Sequence, residues 1–213
     1  RVITGYVQLL ERRYADVLDE RGERYMRHIV EGCGRMRDLI DDLLHYSRFL
    51  RVETEPQRLD LDAVVADVVA GLRAQVEDAG GTVGVEPLHA VHGDATAVRA
   101  MVQNLVSNAL KFRRPEHAPQ VRVSTERDGG RVVLRVDDDG IGVPPEFREK
   151  VFRMFQRLHV REEYGGTGIG LAVVQKVAEQ GGGSAWIEES PLGGARFCVT
   201  MPAAFTPTTQ EQS

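Results

Sequence analysis

Cysteine is scarce in this 213-residue chain: Cys33 and Cys198 alone are too few for a disulfide framework and suit a reducing compartment. A basic excess is lacking too. Twenty-seven Lys and Arg stand against 32 Asp and Glu, a net charge of −5, so the counterion release that drives nucleic-acid binding has no source. Long apolar runs are missing. Val132-Val133-Leu134 lies between Arg131 and Arg135, far short of the roughly 18–20 apolar residues of a bilayer span. A starting Met and a signal peptide are absent, and the chain opens inside an apolar periodic segment at Val2-Ile3, which reads as a piece of a longer cytosolic protein. What is present is ordinary globular composition, 42% hydrophobic and 28% charged. That excludes disorder along the whole length and leaves room for one large domain or two modest ones.

Two apolar seams fill the first fifty residues. Ile3, Val7, Leu10, Tyr14 and Val17 form one. Met26, Ile29, Cys33, Met36, Ile40, Leu43, Ser47 and Leu50 form the other, stepping by three and four as packed helices do. Asp19-Glu20-Arg21-Gly22 between them reads as a helix–helix turn. An antiparallel helical hairpin is therefore predicted over residues 1–52, with further apolar flanks at Leu9, Tyr25, Leu39, Leu44 and Tyr46. Two helices bury little surface alone, so pairing with a second copy into a four-helix bundle is expected. Packing of the hairpin on its own C-terminal domain is the alternative.

Glu53-Thr54-Glu55-Pro56 reads as a linker to a second domain over 57–205, followed by a flexible tail at 206–213. Within that domain, Gln57–Asp60 is a short strand and Leu61–Ala79 a helix, followed by strands at Thr82–Glu86 and Ala90–His92. Asp94 is placed to cap a helix running to about Phe112. Val121–Glu126 and Arg131–Val136 alternate apolar and polar residues around Asp128-Gly129-Gly130, a hairpin signature. Pro144-Pro145 opens a short helix, Leu171–Gln180 is another, and Ser184–Glu188 with Arg196–Met201 form a closing hairpin. The predicted class is α+β: the hairpin, then an α/β sandwich with one mixed sheet and helices on a single face.

Four segments of the second domain carry chemistry. Asn104, Asn108 and Lys111 recur at i, i+4 and i+7 and share one helix face. Amide oxygens are hard donors suited to Mg²⁺ and a lysine supplies point charge, so the stripe suits a metal-bound polyphosphate; a solvated polar face is the alternative. Asp137-Asp138-Asp139-Gly140-Ile141-Gly142 ends an apolar strand. There a carboxylate can accept an exocyclic amino hydrogen while glycines let a flat ring approach the backbone. A calcium loop is the competing reading, though the later ligand spacing of such a loop is absent. Gly165-Gly166-Thr167-Gly168-Ile169-Gly170-Leu171 precedes a helix and suits phosphate or a hinge; it is neither the dinucleotide fingerprint nor a P-loop. Gly193-Gly194-Ala195-Arg196-Phe197 by itself is a hairpin turn.

In order and spacing, these segments resemble the catalytic domain of sensor histidine kinases, in the ATPase superfamily shared with Hsp90, gyrase and the MutL mismatch-repair proteins. Asn104–Phe112 resembles the asparagine box, Asp138–Gly142 the D-x-G-x-G box and Gly166–Gly170 the G-x-G-x-G box. Val151–Arg157 is similar to the phenylalanine-containing segment. The hairpin, with Leu39–Ser47, resembles the dimerisation and histidine-phosphotransfer bundle, and the stretch FQRLHVREEYGGTGIGLAVV resembles kinases attached to phytochromes and PAS sensors.

The resemblance implies ATP and Mg²⁺ as cofactors. Asp138, Gly140 and Gly142 would hold adenine, and Asn108, with Asn104 nearby, the metal. Lys111 would neutralise phosphate charge, and the backbone of Gly166, Thr167, Gly168, Ile169, Gly170 and Leu171 would cradle the triphosphate. Residues Phe155–Gly166 would form a lid anchored by Phe152 and Phe155, with Arg157 reaching the terminal phosphate. Phe152 as plain core and Arg157 as a solvated charge are the alternatives.

Hydrolytic members of the superfamily carry a Glu base where this chain has Asn104, which cannot accept a proton at neutral pH; that favours phosphotransfer over hydrolysis. The phosphoacceptor of the family is a His followed by an acid. The six histidines here, His28, His45, His89, His92, His117 and His159, are followed by Ile, Tyr, Ala, Gly, Ala and Val, so the acceptor is expected upstream of Arg1. The implied partners are a second copy, a response-regulator receiver domain and an upstream sensor of phytochrome or PAS type. Autophosphorylation and relay to an Asp is the expected function; a net phosphatase and a non-catalytic nucleotide-gated dimerisation module are the alternatives.

Overall fold

The computed structural model describes residues 2–14, 19–51, 55–156, 158 and 166–204. Helix α1 spans Val2–Tyr14 and α2 spans Glu20–Arg51. Glu20-Arg21-Gly22 of the expected turn are helical. Asp19 Oδ1 accepts the Gly22 N–H at 2.8 Å and its carbonyl accepts from Glu23 at 3.1 Å, so Asp19 caps α2 and Glu20-Arg21-Gly22 form the first helical turn. Val7 and Met26 are buried, whereas Ile29, Met36, Ile40 and Leu43 of the longer seam are each at least 44% exposed. No helix among the described residues is long and apolar enough to cross a membrane.

The second region begins with β1 (Gln57–Leu59), α3 (Leu61–Gly71) and α4 (Arg73–Ala79). A single helix over 61–79 is thus interrupted. Gly71 is a weak helix former, and the Leu72 N–H is shared between the carbonyls of Val68 and Val69 while its side chain is buried. Then come β2 (Thr82–Val85), β3 (Val91–Gly93), α5 (Ala95–Lys111), β4 (Gln120–Asp128) and β5 (Arg131–Asp138). Asp94 caps α5 by accepting the Ala97 N–H at 2.6 Å. Pro145–Phe147 and Lys150–Phe152 are single 3-10 turns rather than one helix. The chain closes with α6 (Gly170–Gln180), β6 (Ala185–Glu189) and β7 (Ala195–Pro202).

Five strands form one mixed sheet in the order β2-β4-β5-β7-β6, in which the β2–β4 pair is parallel and the others are antiparallel. β1 and β3 form a separate antiparallel pair. Helix α5 contacts β4 and β5, α6 contacts β6 and β7, and the two helices touch each other. Val123, Leu134, Val136, Phe197 and Val199 from the strands meet Met101, Val102, Leu105, Val106, Val174 and Val177 from the helices in one core. Each helix thereby commits one face to the sheet. This core fixes the ends of α5, β5 and α6, and the glycine-rich segments hang from those ends.

Candidate functional site

Three consecutive acids sit at the end of β5, and all are buried: Asp137 is 0% exposed, Asp138 4% and Asp139 6%. Strand alternation points Asp137 and Asp138 to opposite faces of the sheet. Asp137 is held by Arg196, whose Nε lies 2.7 Å from Oδ1 and Nη2 3.2 Å from Oδ2, and by Arg122 Nη2 at 3.4 Å. Asp139 meets His117 Nε2 at 2.7 Å and accepts the Gln120 N–H at 2.9 Å. Buried carboxylates need such partners.

Asp138 is different. Its Oδ1 accepts two backbone N–H groups, from Gly140 and Ala195, each at 2.9 Å. Among the described residues none donates to Oδ2. Burial pushes this carboxyl up from its ordinary 3.8 to about 6, against the lowering effect of the Ala195 and Gly140 hydrogen bonds and with a smaller push from the Asp139 and Asp137 charges. The close approach around Asp138 demands glycine at two places. A side chain at Gly194 would collide with Asp138 Oδ1 and the Gly140 nitrogen, and one at Gly140 with the Phe112 carbonyl. Gly142 backs onto the carbonyl of Gly194.

The polar stripe of α5 faces the start of α6. The Asn104 side chain donates Nδ2–H to the Ala100 carbonyl at 2.9 Å and rests its Oδ1 against Gly170, the first residue of α6. One turn on, the half-buried Asn108 side chain makes no hydrogen bond to any described residue. Lys111 Nζ lies against Gly166 and 4.6 Å from the centre of the Phe112 ring. Thr167 Oγ1 receives the Ile169 N–H at 3.4 Å, Ile169 is buried in the core, and Leu171 packs against it. Gly166 and Gly170 thus lie against Lys111 and Asn104 of α5, and α6 begins at that end, where helix geometry leaves the first-turn N–H groups without an intrahelical partner.

Asn104, Lys111, Gly166 and Gly170 are thus brought together. Asp138, Gly140, Gly142 and Gly194 meet at the end of β5, and the Phe112 carbonyl, accepting the Ile141 N–H at 3.0 Å, ties the C-terminus of α5 to them. Phe152 belongs to the core, whereas Phe155 is 58% exposed with φ of 64° and donates its N–H to Gly168. Arg157 and most of the expected lid, 157 and 159–165, lie outside the described residues, as do the tail and Gly165. A separate groove of 560 Å³ between the 3-10 turns, α6 and β6 includes Phe152 but none of the polar residues named above.

Sequence reading missed Arg114, which donates from Nε to the Gly140 carbonyl at 3.1 Å and from Nη2 to the Gly193 carbonyl at 2.7 Å. The Gly194 and Ala195 amides were also missed as donors to Asp138. A two-glycine turn was the only local sign of either. Among the described residues no three His, Cys, Asp or Glu side chains gather to hold a metal. A cation here would rely on an amide oxygen and a ligand's own oxygens, and the unbonded Asn108 amide fits that need.

Residues 93–204 match the family described as histidine kinase-, DNA gyrase B-, and HSP90-like ATPase. Cyanobacterial phytochrome A of Nostoc sp. is 38% identical over 200 residues, covering 94% of this chain and 26% of that protein. The sensor histidine kinase CpxA of Escherichia coli is 33% identical over 186 residues, 83% of this chain and 39% of the relative. The chain thus spans well under half the length of these relatives. Among solved structures, full-length ShkA in complex with AMPPNP superposes with a TM-score of 0.70 at 26% identity, over 96% of this chain and 43% of the other. This chain belongs to the histidine kinase-, gyrase- and HSP90-like ATPase family, as a catalytic domain of the sensor histidine kinase type.

Proposed function

We propose that this chain is the ATP-binding core of a protein histidine kinase that transfers the γ-phosphoryl group to an imidazole and on to an Asp of a response regulator. The observation that carries the reading is Asp138: a buried carboxylate with one oxygen held by two backbone N–H groups and the other left as an acceptor beside Gly140 and Gly194. Such an acceptor suits the exocyclic amino group of adenine, and the glycines admit a flat ring.

The polar face of α5 and the start of α6 would take the triphosphate. Lys111 neutralises phosphate charge, and the first-turn amides of α6 with residues 166–171 bind phosphate oxygens. Asn108, with Asn104 nearby, would hold Mg²⁺, which when bound would shield the phosphate charge. Asn104 lacks the basicity to activate water, so the γ-phosphoryl is kept for a stronger nucleophile. In the transfer the bond from the γ-phosphorus to the ADP oxygen breaks as a bond to the imidazole nitrogen forms. The domain contributes positioning and charge neutralisation, and Arg157 stabilises the phosphoryl in flight.

The exposed seam of α2 supports pairing with a second copy through the N-terminal helices. None of the six histidines has the acceptor's flanking residues, so none of them is assigned as the acceptor. A sensor of phytochrome or PAS type would control it. Calorimetry with Mg·ATP tests the site: wild-type protein binds, and Asn108→Asp weakens binding at least tenfold by altering the metal ligand. Unchanged affinity in that variant refutes the assignment. Labelled ATP given to a longer protein carrying the acceptor, followed by phosphorylated regulator, separates kinase from phosphatase.

A further inference from the structure

Two peptide planes form the wall beside Asp138, and each is pinned at both ends. The Gly140–Ile141 peptide gives its N–H to the Phe112 carbonyl at 3.0 Å and its carbonyl to Arg114 Nε at 3.1 Å. The Gly193–Gly194 peptide gives its N–H to the Asp138 carbonyl at 3.1 Å and its carbonyl to Arg114 Nη2 at 2.7 Å. One guanidinium therefore closes both planes. Gly140 supplies one N–H donor to Asp138 Oδ1, and the Gly193–Gly194 plane leads directly into Ala195, which supplies the other.

Four glycines in these two loops, Gly140, Gly142, Gly193 and Gly194, leave the backbone soft unless something external holds it. The rigid guanidinium fork reaches the two carbonyls from separate nitrogens, Nε and Nη2; a lysine would offer its three N–H donors from one freely rotating nitrogen and could not hold that fixed spacing. We infer that Arg114 is a positioning residue for base recognition: by cross-bracing the loops after β5 and between β6 and β7, it fixes the direction of Asp138 and the width of the ring slot. The inference rests on the nucleotide-binding reading above and adds to it a residue outside the resemblance boxes.

The test compares Arg114→Met and Arg114→Lys with wild type and with Asp138→Asn. In Arg114→Met, ATP affinity falls about tenfold, the scale of one charge-assisted hydrogen bond, and the preference for ATP over GTP shrinks by a similar factor. Arg114→Lys fails to restore either. In the nucleotide-free protein, NMR hydrogen exchange at the Ile141 and Gly194 amides accelerates in both Arg114 variants, while the Ala97 amide, held by Asp94 far from the brace, keeps its wild-type rate. A variant that weakens ATP and GTP equally, full rescue by lysine, or unchanged exchange at Ile141 and Gly194 overturns the positioning role. Wild-type protein that fails to bind ATP, or Asp138→Asn that binds as wild type does, overturns the nucleotide reading and this inference together. Loss in Asp138→Asn with no change in Arg114→Met overturns the inference alone.

Discussion

Replacing Asp138 with asparagine should make the ligand-free protein more stable while abolishing its affinity for ATP. The carboxyl is 4% exposed, and burial raises it from 3.8 to about 6, a difference of about 3 kcal/mol between its two protonation states. A carboxyl whose folded-state pKa lies above its unfolded value holds its proton more tightly in the native state. Stability is therefore favoured below pH 4, falls as pH rises from about 4 to 6, and stays lower above that. Asparagine keeps the oxygen that accepts from Gly140 and Ala195 but carries no charge to bury. At pH 7.5 the variant should gain up to about 3 kcal/mol, or roughly 6–12 °C in Tm for a domain of this size. At pH 4.5 the gain should shrink to about 1 kcal/mol, roughly a third of that. Its side-chain N–H₂ would then face the adenine amino group, donor against donor, and ATP should no longer raise the melting temperature. The assay is thermal unfolding of both proteins at the two pH values, with and without Mg·ATP. An asparagine variant that melts at or below the wild-type temperature at pH 7.5, or with the same gain at both pH values, would refute the reasoning.

Two more substitutions probe the same region. Gly194→Ala would push a methyl group into Asp138 Oδ1 and the Gly140 nitrogen; a loss of about 1–3 kcal/mol is expected, together with loss of ATP binding by calorimetry, and normal binding would show that the loop yields. Arg196→Met strips Asp137, which is fully buried, of its closest cation and leaves only Arg122 at 3.4 Å. Urea denaturation should register a loss of about 3–5 kcal/mol, and adding Asp137→Asn should recover part of it by removing the stranded charge.

Local features of the chain were legible because they depend on neighbours within a few residues. The i, i+4, i+7 stripe of Asn104, Asn108 and Lys111 follows from helix geometry. The Asp94 cap and the hairpin at Asp128-Gly129-Gly130 follow from turn and capping chemistry. The interruption at Leu72 was not legible, since the apolar period continues through Gly71 and only burial of Leu72 against the rest of the fold decides the bend. The start of α2 at Glu20 was misread because Asp19 suits a cap and a turn equally well.

From the sequence alone, one of three adjacent acids, a polar helix stripe and a glycine-rich helix entry are expected to serve one kind of site. That expectation is open to the sequence because each motif is short and their order along the chain resembles a known family. The tertiary structure alone decided what surrounds each acid: Arg196 and Arg122 on Asp137, His117 on Asp139, and, among the described residues, only backbone N–H groups on the Asp138 carboxylate. Apart from Gly140, two residues from Asp138, those partners lie 15 to 59 residues away along the chain, and Arg114 reaches across 26 and 79. Such meetings depend on the strand order β2-β4-β5-β7-β6, and local periodicity carries no record of which strands become neighbours.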